Sequence, residues 1–329
     1  MRTVQMNRFG GPEVLEIVER PTPLPRPGQA LIRVRAAGVN FADTLMRQNR
    51  YPLTPELPSV LGTEVAGTIE RLGDEVEGLE TGMRVAAPLF AAGEYFGGYA
   101  EHVLIDAGYV VPLPDALSFE TATALMVQGL TALYLTRQAP PRGRTVLVNA
   151  AAGGVGTLLV QLARRAGAKR VIAAASSARK LAATQALGAD AGVDYTQPGW
   201  VEEVRAASGG AGPDIIYESA GGAVTRASLE GLAPQGELII YGALNIQDFA
   251  LGVPELLGLI FKNQSVRGFA LVPLLAPVSL KTALNELFDL TMSGELQVTI
   301  GGTYPLEGAA EAHRALETRG TTGKLVLTV

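Results

Sequence analysis

Asn149-Ala150-Ala151-Ala152-Gly153-Gly154-Val155-Gly156 joins the apolar run Val146–Val148 to a helical stretch, and all but Asn149 and Val155 are alanine or glycine. Side chains this small let a backbone approach a bulky anion closely. A helix that starts there supplies unpaired N–H groups and the positive end of its dipole. In the register of the dinucleotide fingerprint G-x-G-x-x-G, Ala151 stands at the first glycine, Gly153 at the second and Gly156 at the third, with Gly154 and Val155 between. The chemistry implied is the cradling of a pyrophosphate. Nineteen residues beyond Gly156, where a site selective for NAD would carry an Asp or Glu for the ribose hydroxyls, stands Ala175, followed by Ser176-Ser177-Ala178-Arg179-Lys180. No carboxylate there repels a 2′-phosphate, and two hydroxyls and a cation can hold one, so NADPH is the expected cofactor. On the bland alternative, Ser176 and Ser177 cap a helix and Arg179 and Lys180 are solvated.

Groups able to move protons are few. The chain has no cysteine and only two histidines, His102 and His313, which excludes thiolate nucleophiles, disulfides and cysteine-ligated zinc. Each histidine reads as a surface or packing residue, and no metal site is expected. Tyr51 in Arg50-Tyr51-Pro52 carries a phenol that stays protonated at neutral pH and can donate. Asn40 and Asp43 can orient a ligand, although Asp43 can equally cap the helical turn that follows it. With so short a list, the hard chemistry falls to a bound cofactor.

The elements that position these groups change character along the 329 residues, a length that suits two domains. Up to about residue 120 the chain reads as short strands punctuated by Pro/Gly clusters, with alternation in Ala30–Ala36 and strand-like runs at Val65 to Leu72, Arg84 to Pro88 and Tyr99 to Ile105. That texture predicts a compact, irregular β-barrel. Ser118 reads as the N-cap of a helix running from Phe119 to about Arg137. Apolar strands then alternate with helices: strands at Thr145–Asn149, Arg170–Ala175, Pro213–Glu218 and Gly236–Tyr241, helices at Gly154–Ala166, Ala178–Leu187 and Ala223–Ala233. The alternation predicts right-handed βαβ crossovers in a doubly wound parallel sheet. Helices near Ser279–Ser293 and Leu306–Thr318 and a last strand, Lys324–Val329, return the chain to the first domain. The expected class is α/β, with a Rossmann domain at 122–266 inserted into a substrate domain made of 1–121 and 267–329.

Composition limits the partners. With 47% apolar and 18% charged residues there is material for packed cores, and a net charge of −5 gives no footprint for nucleic acid. No apolar run approaches the ~20 residues of a membrane span. Met1–Met6 reads as a first strand, without the apolar stretch of a signal peptide, so a cytoplasmic location is expected.

Several of these segments together resemble the quinone oxidoreductase and zeta-crystallin branch of the medium-chain dehydrogenases/reductases. Ala150–Gly156 is similar to its A-A-x-G-G-V-G turn, Gly38-Val39-Asn40-Phe41-Ala42-Asp43 to its G-V-N-x-x-D segment, and Gly62-Thr63-Glu64-Val65-Ala66-Gly67, after Tyr51-Pro52, to its G-x-E-x-x-G stretch. Gly129-Leu130-Thr131-Ala132 and Gly323-Lys324-Leu325-Val326-Leu327 resemble its G-L-T-A helix and last strand. The resemblance spans nearly the whole chain. It implies a GroES-like barrel around a Rossmann domain, NADPH held in the cleft between the two, and a homodimer formed through the last Rossmann strand. Asn263–Gly268 would be that strand, with the apolar stretch Leu251–Phe261 joining the interface.

The same resemblance implies that Lys180 and Tyr195 contact the 2′-phosphate. It places Asn40 and Thr131 near the nicotinamide, lines the crevice with Ser219 and Gly242, and closes its far side with Phe269 and Lys324. Ser219 as a helix cap and Phe269 as ordinary core are the plain alternatives. Tyr51 matches the proton donor of related enoyl-thioester reductases, against which stands a ring that only shapes the cleft. Zinc-dependent relatives carry a G-H-E motif, whereas here Thr63 replaces its histidine. The activity implied is zinc-free reduction of a quinone or an α,β-unsaturated carbonyl compound by NADPH. The alternatives are a stand-alone enoyl-thioester reductase and a non-catalytic, crystallin-like NADPH-binding protein.

Overall fold

A computed structural model describes residues 1–242, 248 and 250–329 and divides the chain into two units, Met1–Leu130 with Val272–Val329, and Thr131–Leu271.

In the first unit, the long strand Gln29–Val39 is the hub. It pairs antiparallel with Val65–Leu72, with His102–Asp106 and with Lys324–Thr328, so the end of the chain is sewn to its beginning. The sheet runs Ile300–Pro305, Lys324–Thr328, Gln29–Val39, Val65–Leu72, Arg84–Ala87, Val111–Pro112, and a small second sheet joins Leu15–Glu19, Arg2–Met6 and Ser59–Val60. Alternating residues such as Arg33 and Arg35 face outward, while Ile32, Val34 and Val39 enter a core with Met6, Leu61, Val85 and Leu327. Strand Ile300–Pro305 escaped sequence reading because Gly301 and Gly302 interrupt its apolar pattern.

The second unit is a six-stranded parallel sheet, ordered Ala191–Asp194, Arg170–Ala175, Thr145–Val148, Ile215–Glu218, Glu237–Ile240, Ser265–Gly268. Counted along the chain this is 3-2-1-4-5-6, the doubly wound order whose switch point lies beside the first strand. Thr145–Val148 and Ile215–Glu218 are buried at every position, as strands covered on both faces must be.

The divisions fall nine and five residues beyond those expected at 121 and 266. Helix Phe119–Ala124 packs on strands Gln29–Val39 and Val65–Leu72, which holds it in the first unit. Residues 265–268 pair with Glu237–Ile240, which keeps them in the parallel sheet. The single helix expected from Phe119 to Arg137 is instead Phe119–Ala124, a π turn at Leu125–Gly129 and Leu130–Gln138. Among the described residues, no helix is long and apolar enough to cross a membrane.

Candidate functional site

In the second unit, strand Thr145–Val148 ends at Asn149, and helix Gly154–Arg165 starts after the N-cap Gly153. The turn between them is closed by Gly153 N–H donating to Ala150 O at 2.9 Å, with Ala150 in the left-handed region at φ 49°. Gly156 seats the helix against this turn. A Cβ there would lie 2.5 Å from Ala150 O and 2.6 Å from Ala151 Cα, and backbone cannot yield as a side-chain tip can. Gly153, Gly154 and Val155 are half-buried at the helix start, where the N–H groups of Gly154 and Val155 have no carbonyl a turn earlier.

The next strand, Arg170–Ala175, delivers Ser176 and Ser177. Ser177 caps helix Ala178–Ala186 by accepting from Lys180 N–H at 3.4 Å, and Lys180 Nζ donates to Ser176 Oγ at 3.3 Å. Tyr195 N–H donates to Ala175 O at 3.2 Å, so Tyr195 follows the neighbouring strand at the same end of the sheet. Asp194, just before it, is occupied by the N–H and hydroxyl of Thr196 at 2.9 and 2.6 Å, which hold its carboxyl below the usual range.

Ser219 does not cap the helix after it, whose N-cap is Gly221; its hydroxyl donates to Tyr241 Oη at 3.2 Å. A Cβ on Gly242 would fall 2.6 Å from Ser219 Cβ, so these two residues share one close approach. Thr131 is buried and Phe269 half-buried, with Phe269 N–H donating to Ile240 O at 2.9 Å.

Sequence reading missed a buried clamp beneath this rim. Glu218 accepts from Asn149 Nδ2, from Thr225 Oγ1 at 3.0 Å and from Gly221 N–H at 2.8 Å, while Asn149 also donates to Ser228 Oγ at 2.7 Å. Burial raises the Glu218 carboxyl above its ordinary value. The available signal was a pair of polar residues at the ends of two otherwise apolar strands.

In the first unit, Asn40, Asp43 and Lys324 come together around Glu64. Asn40 precedes helix Phe41–Arg47, and its backbone N–H donates to Asp43 Oδ2 at 2.8 Å, so Asp43 does cap the turn. Asp43 is fully buried and also accepts from Tyr99 Oη at 3.0 Å; burial pushes its carboxyl up to about 6, less the help of the Asn40 N–H and the Lys324 charge. Tyr99 Oη lies 3.1 Å from His313 Nε2, and burial pushes that ring down to about 3, with Arg47 adding to the effect.

The Glu64 carboxylate is fully buried. Its Oε1 accepts from Lys324 Nζ and from Asn40 Nδ2 at 2.8 Å, and its Oε2 accepts from Val127 N–H at 2.6 Å within the π turn. Lys324 Nζ donates also to Asn40 Oδ1 at 2.7 Å. Gly38 must be glycine because a Cβ there would strike Glu64 Oε1. Tyr51 packs half-buried on the same core, and its phenol is raised by burial and by the charge of Asp43.

Among the described residues no tetrahedral donor set is present. The chain has no cysteine, Thr63 is buried, Glu64 is engaged by three donors, His102 Nε2 lies 2.8 Å from Glu70, and His313 is enclosed beside Tyr99. Among the described residues, no group of three or more His, Asp or Glu could hold a metal ion.

Residues 26–115 match the alcohol dehydrogenase GroES-like domain, and residues 187–327 match a domain described as zinc-binding dehydrogenase. The chain is 36% identical to a quinone oxidoreductase of Pseudomonas aeruginosa, covering 99% of both chains. It is 33% identical to a 2-haloacrylate reductase of a Burkholderia species, covering 98% of this chain and 97% of the other. The structure of Escherichia coli quinone oxidoreductase complexed with NADPH superposes with a TM-score of 0.92 at 32% identity, covering all of both chains.

Proposed function

The chain belongs to the quinone oxidoreductase family of the medium-chain dehydrogenases/reductases, and from that premise we propose that it transfers hydride from NADPH to a quinone or an α,β-unsaturated carbonyl compound without zinc. The observation that carries the reading is the rim of the parallel sheet. There a turn too tight for a Cβ at Gly156 opens a helix start, and one strand further Lys180 donates to Ser176 where an NAD-selective site would hold a carboxylate, with Tyr195 following the next strand at the same end of the sheet. These groups fit a dinucleotide phosphate. The helix start and Ala151 to Gly156 would receive the pyrophosphate, and Ser176, Ser177, Lys180 and Tyr195 the 2′-phosphate. Ser219, Gly242, Thr131 and Phe269 would line the ribose and nicotinamide end.

When bound, NADPH supplies the hydride. Asn40 would offer its amide to the reacting end, with Lys324 holding that amide from behind, and Asp43 keeps Asn40 in place by accepting from its backbone N–H. Tyr51 would donate the proton to an enone, since burial and Asp43 keep its phenol protonated at neutral pH. Conjugated acceptors spread the incoming charge, so they need less Lewis-acid help than a plain ketone. That suits a chain whose residues at the zinc position of its relatives are threonine and a carboxylate already taken by a lysine. The protein is read as cytoplasmic and as a homodimer.

A panel of acceptors tests the reading: a naphthoquinone, an enone and a crotonyl thioester, each with NADPH and NADH, with and without chelator. Turnover of the quinone or enone with NADPH preferred and no chelator effect is expected. Preference for the thioester, or about one zinc per chain by elemental analysis, would overturn it.

A further inference from the structure

The buried Glu64 carboxylate, in Gly62–Gly67, draws three other sequence segments to itself: Gly38–Asp43, the π turn before Thr131, and the final strand beginning at Lys324. The atoms it meets settle a question that an asparagine ordinarily leaves open, namely which end of the amide is oxygen. A lysine ammonium can only donate and a carboxylate can only accept. Lys324 Nζ lies 2.7 Å from Asn40 Oδ1, and Glu64 Oε1 lies 2.8 Å from Asn40 Nδ2. Turning the amide over would set N–H against ammonium and carbonyl against carboxylate, two repulsive contacts at buried positions. The backbone of Asn40 is held as well, by Asp43. Of the two side-chain N–H groups one is spent on Glu64, and the other has no acceptor among the described residues.

We propose that Glu64 and Lys324 are positioning residues that lock the Asn40 amide so that its free N–H donates to a carbonyl oxygen at the reacting centre. This rests on the hydride-transfer reading above and deepens it. A carbonyl gaining hydride, or the enone oxygen conjugated to the carbon that gains it, develops negative charge. A donor already oriented toward it needs no rearrangement as the charge appears. The carbonyl belongs either to the acceptor or to the carboxamide of the nicotinamide, and the two leave different traces. Glu64 also makes a second contact. Its Oε2 accepts from the Val127 N–H, within the π turn that runs into the helix carrying Thr131.

The test compares wild type, Asn40→Ala and the double variant Glu64→Gln/Lys324→Met. It measures single-turnover hydride transfer to a naphthoquinone and an enone, the Kd for NADPH without acceptor, and the melting temperature. Replacing a buried ion pair by neutral groups of similar volume need not cost stability, so the double variant is expected to melt near wild type. Its Asn40 amide is no longer held one way round.

If the carbonyl is the acceptor's, Asn40→Ala should slow hydride transfer on the order of 10²–10³-fold with NADPH affinity unchanged. If it is the carboxamide's, NADPH Kd should rise about tenfold, the size of one hydrogen bond. The double variant should shift the same quantity by less. Asn40→Ser, which suits the same helix start, replaces Asn40→Ala if the latter does not fold. A folded Asn40 variant with wild-type hydride transfer and wild-type NADPH affinity would overturn the proposal, as would a double variant affected only in melting temperature. Should wild type itself reduce neither quinone nor enone, the reading of the acceptor fails, while the NADPH arm still decides whether the amide is a locked donor.

Discussion

Tyr51 and His313 are both aromatic, both near Asp43's network, and opposite in what their surroundings do to them. Burial raises the Tyr51 phenol, so it keeps its proton at neutral pH, and Tyr51→Phe removes only that hydroxyl. With an enone, kcat should fall on the order of 10²-fold, the low end for a general acid. A quinone should suffer less, because its reduced oxygens take protons from water. Near wild-type kcat for the enone in Tyr51→Phe, with hydride transfer shown to limit the rate, means the ring only shapes the site. His313 has the reverse problem, its ring being pushed from 6.5 to about 3. Between those values the unfolded chain binds a proton there that the folded chain refuses. The stability it contributes is therefore present above 6.5 and drains away as pH falls toward 3, at up to about 1.4 kcal/mol per pH unit. Asp43 acts oppositely: raised from 3.8 to about 6, it binds a proton in the fold first and favours the fold on acidification. His313→Gln should thus gain on wild type in urea midpoint as pH drops from 7 to 4.5. A constant difference across that range would show that the ring titrates normally.

At the scale of elements, the glycine turn is where sequence and structure agree best, and the reason is local. Strand, tight turn and helix start are specified within a dozen consecutive residues, and Arg170–Ala175 and Val65–Leu72 have the bounds their patterns predict. The π turn at Leu125–Gly129 was not legible, because the partner of its Val127 N–H is a carboxylate 63 residues earlier in the chain. Ala191–Asp194 was missed for a related reason: with one β-branched residue in Ala-Gly-Val-Asp, its strand character comes from pairing with Arg170–Ala175. Site residues divide the same way. Asn40 and Lys324 were readable as separate ligand contacts, but their union through Glu64, and the clamp of Asn149 on Glu218, join residues between 24 and 284 apart in the chain. The local device can be tested by itself. Gly156→Ala puts a methyl against Ala150 O and Ala151 Cα, and overpacking of this kind costs about 1–3 kcal/mol. Both the urea midpoint and NADPH affinity should drop, since the strain is relieved only by lifting the helix start off the turn. An unchanged NADPH Kd in this variant would dissociate the turn from cofactor binding.

At the scale of the molecule, one of the two edges of the parallel sheet lies beside an exposed apolar helix. Ser265–Gly268 ends the order of the parallel sheet and pairs only with Glu237–Ile240, so among the described residues its outer N–H and C=O groups face no strand. Open edges of this kind invite pairing, and a second copy related by a two-fold axis satisfies both edges at once. Just before it, helix Val253–Lys262 exposes Val253 at 69%, Ile260 at 68% and Phe261 at 81%, with Leu256 and Leu257 also outward. Single exposed apolar residues are ordinary, but five on one ten-residue helix beside an open strand form a patch. Edge and patch adjoin in sequence, so one contact can bury both, and a self-complementary surface is what a two-fold interface requires. The expected state is a homodimer of twice 34.4 kDa by light scattering at micromolar concentration. Ile260→Glu combined with Phe261→Glu would place two buried charges on each side of the interface and should shift the mass to that of one chain. The residues of the glycine turn and the Glu64 network are untouched by these changes, so a folded monomeric variant should still bind NADPH. A wild-type protein that scatters as a single chain under these conditions would leave the patch without its second copy, and the dimer would be abandoned.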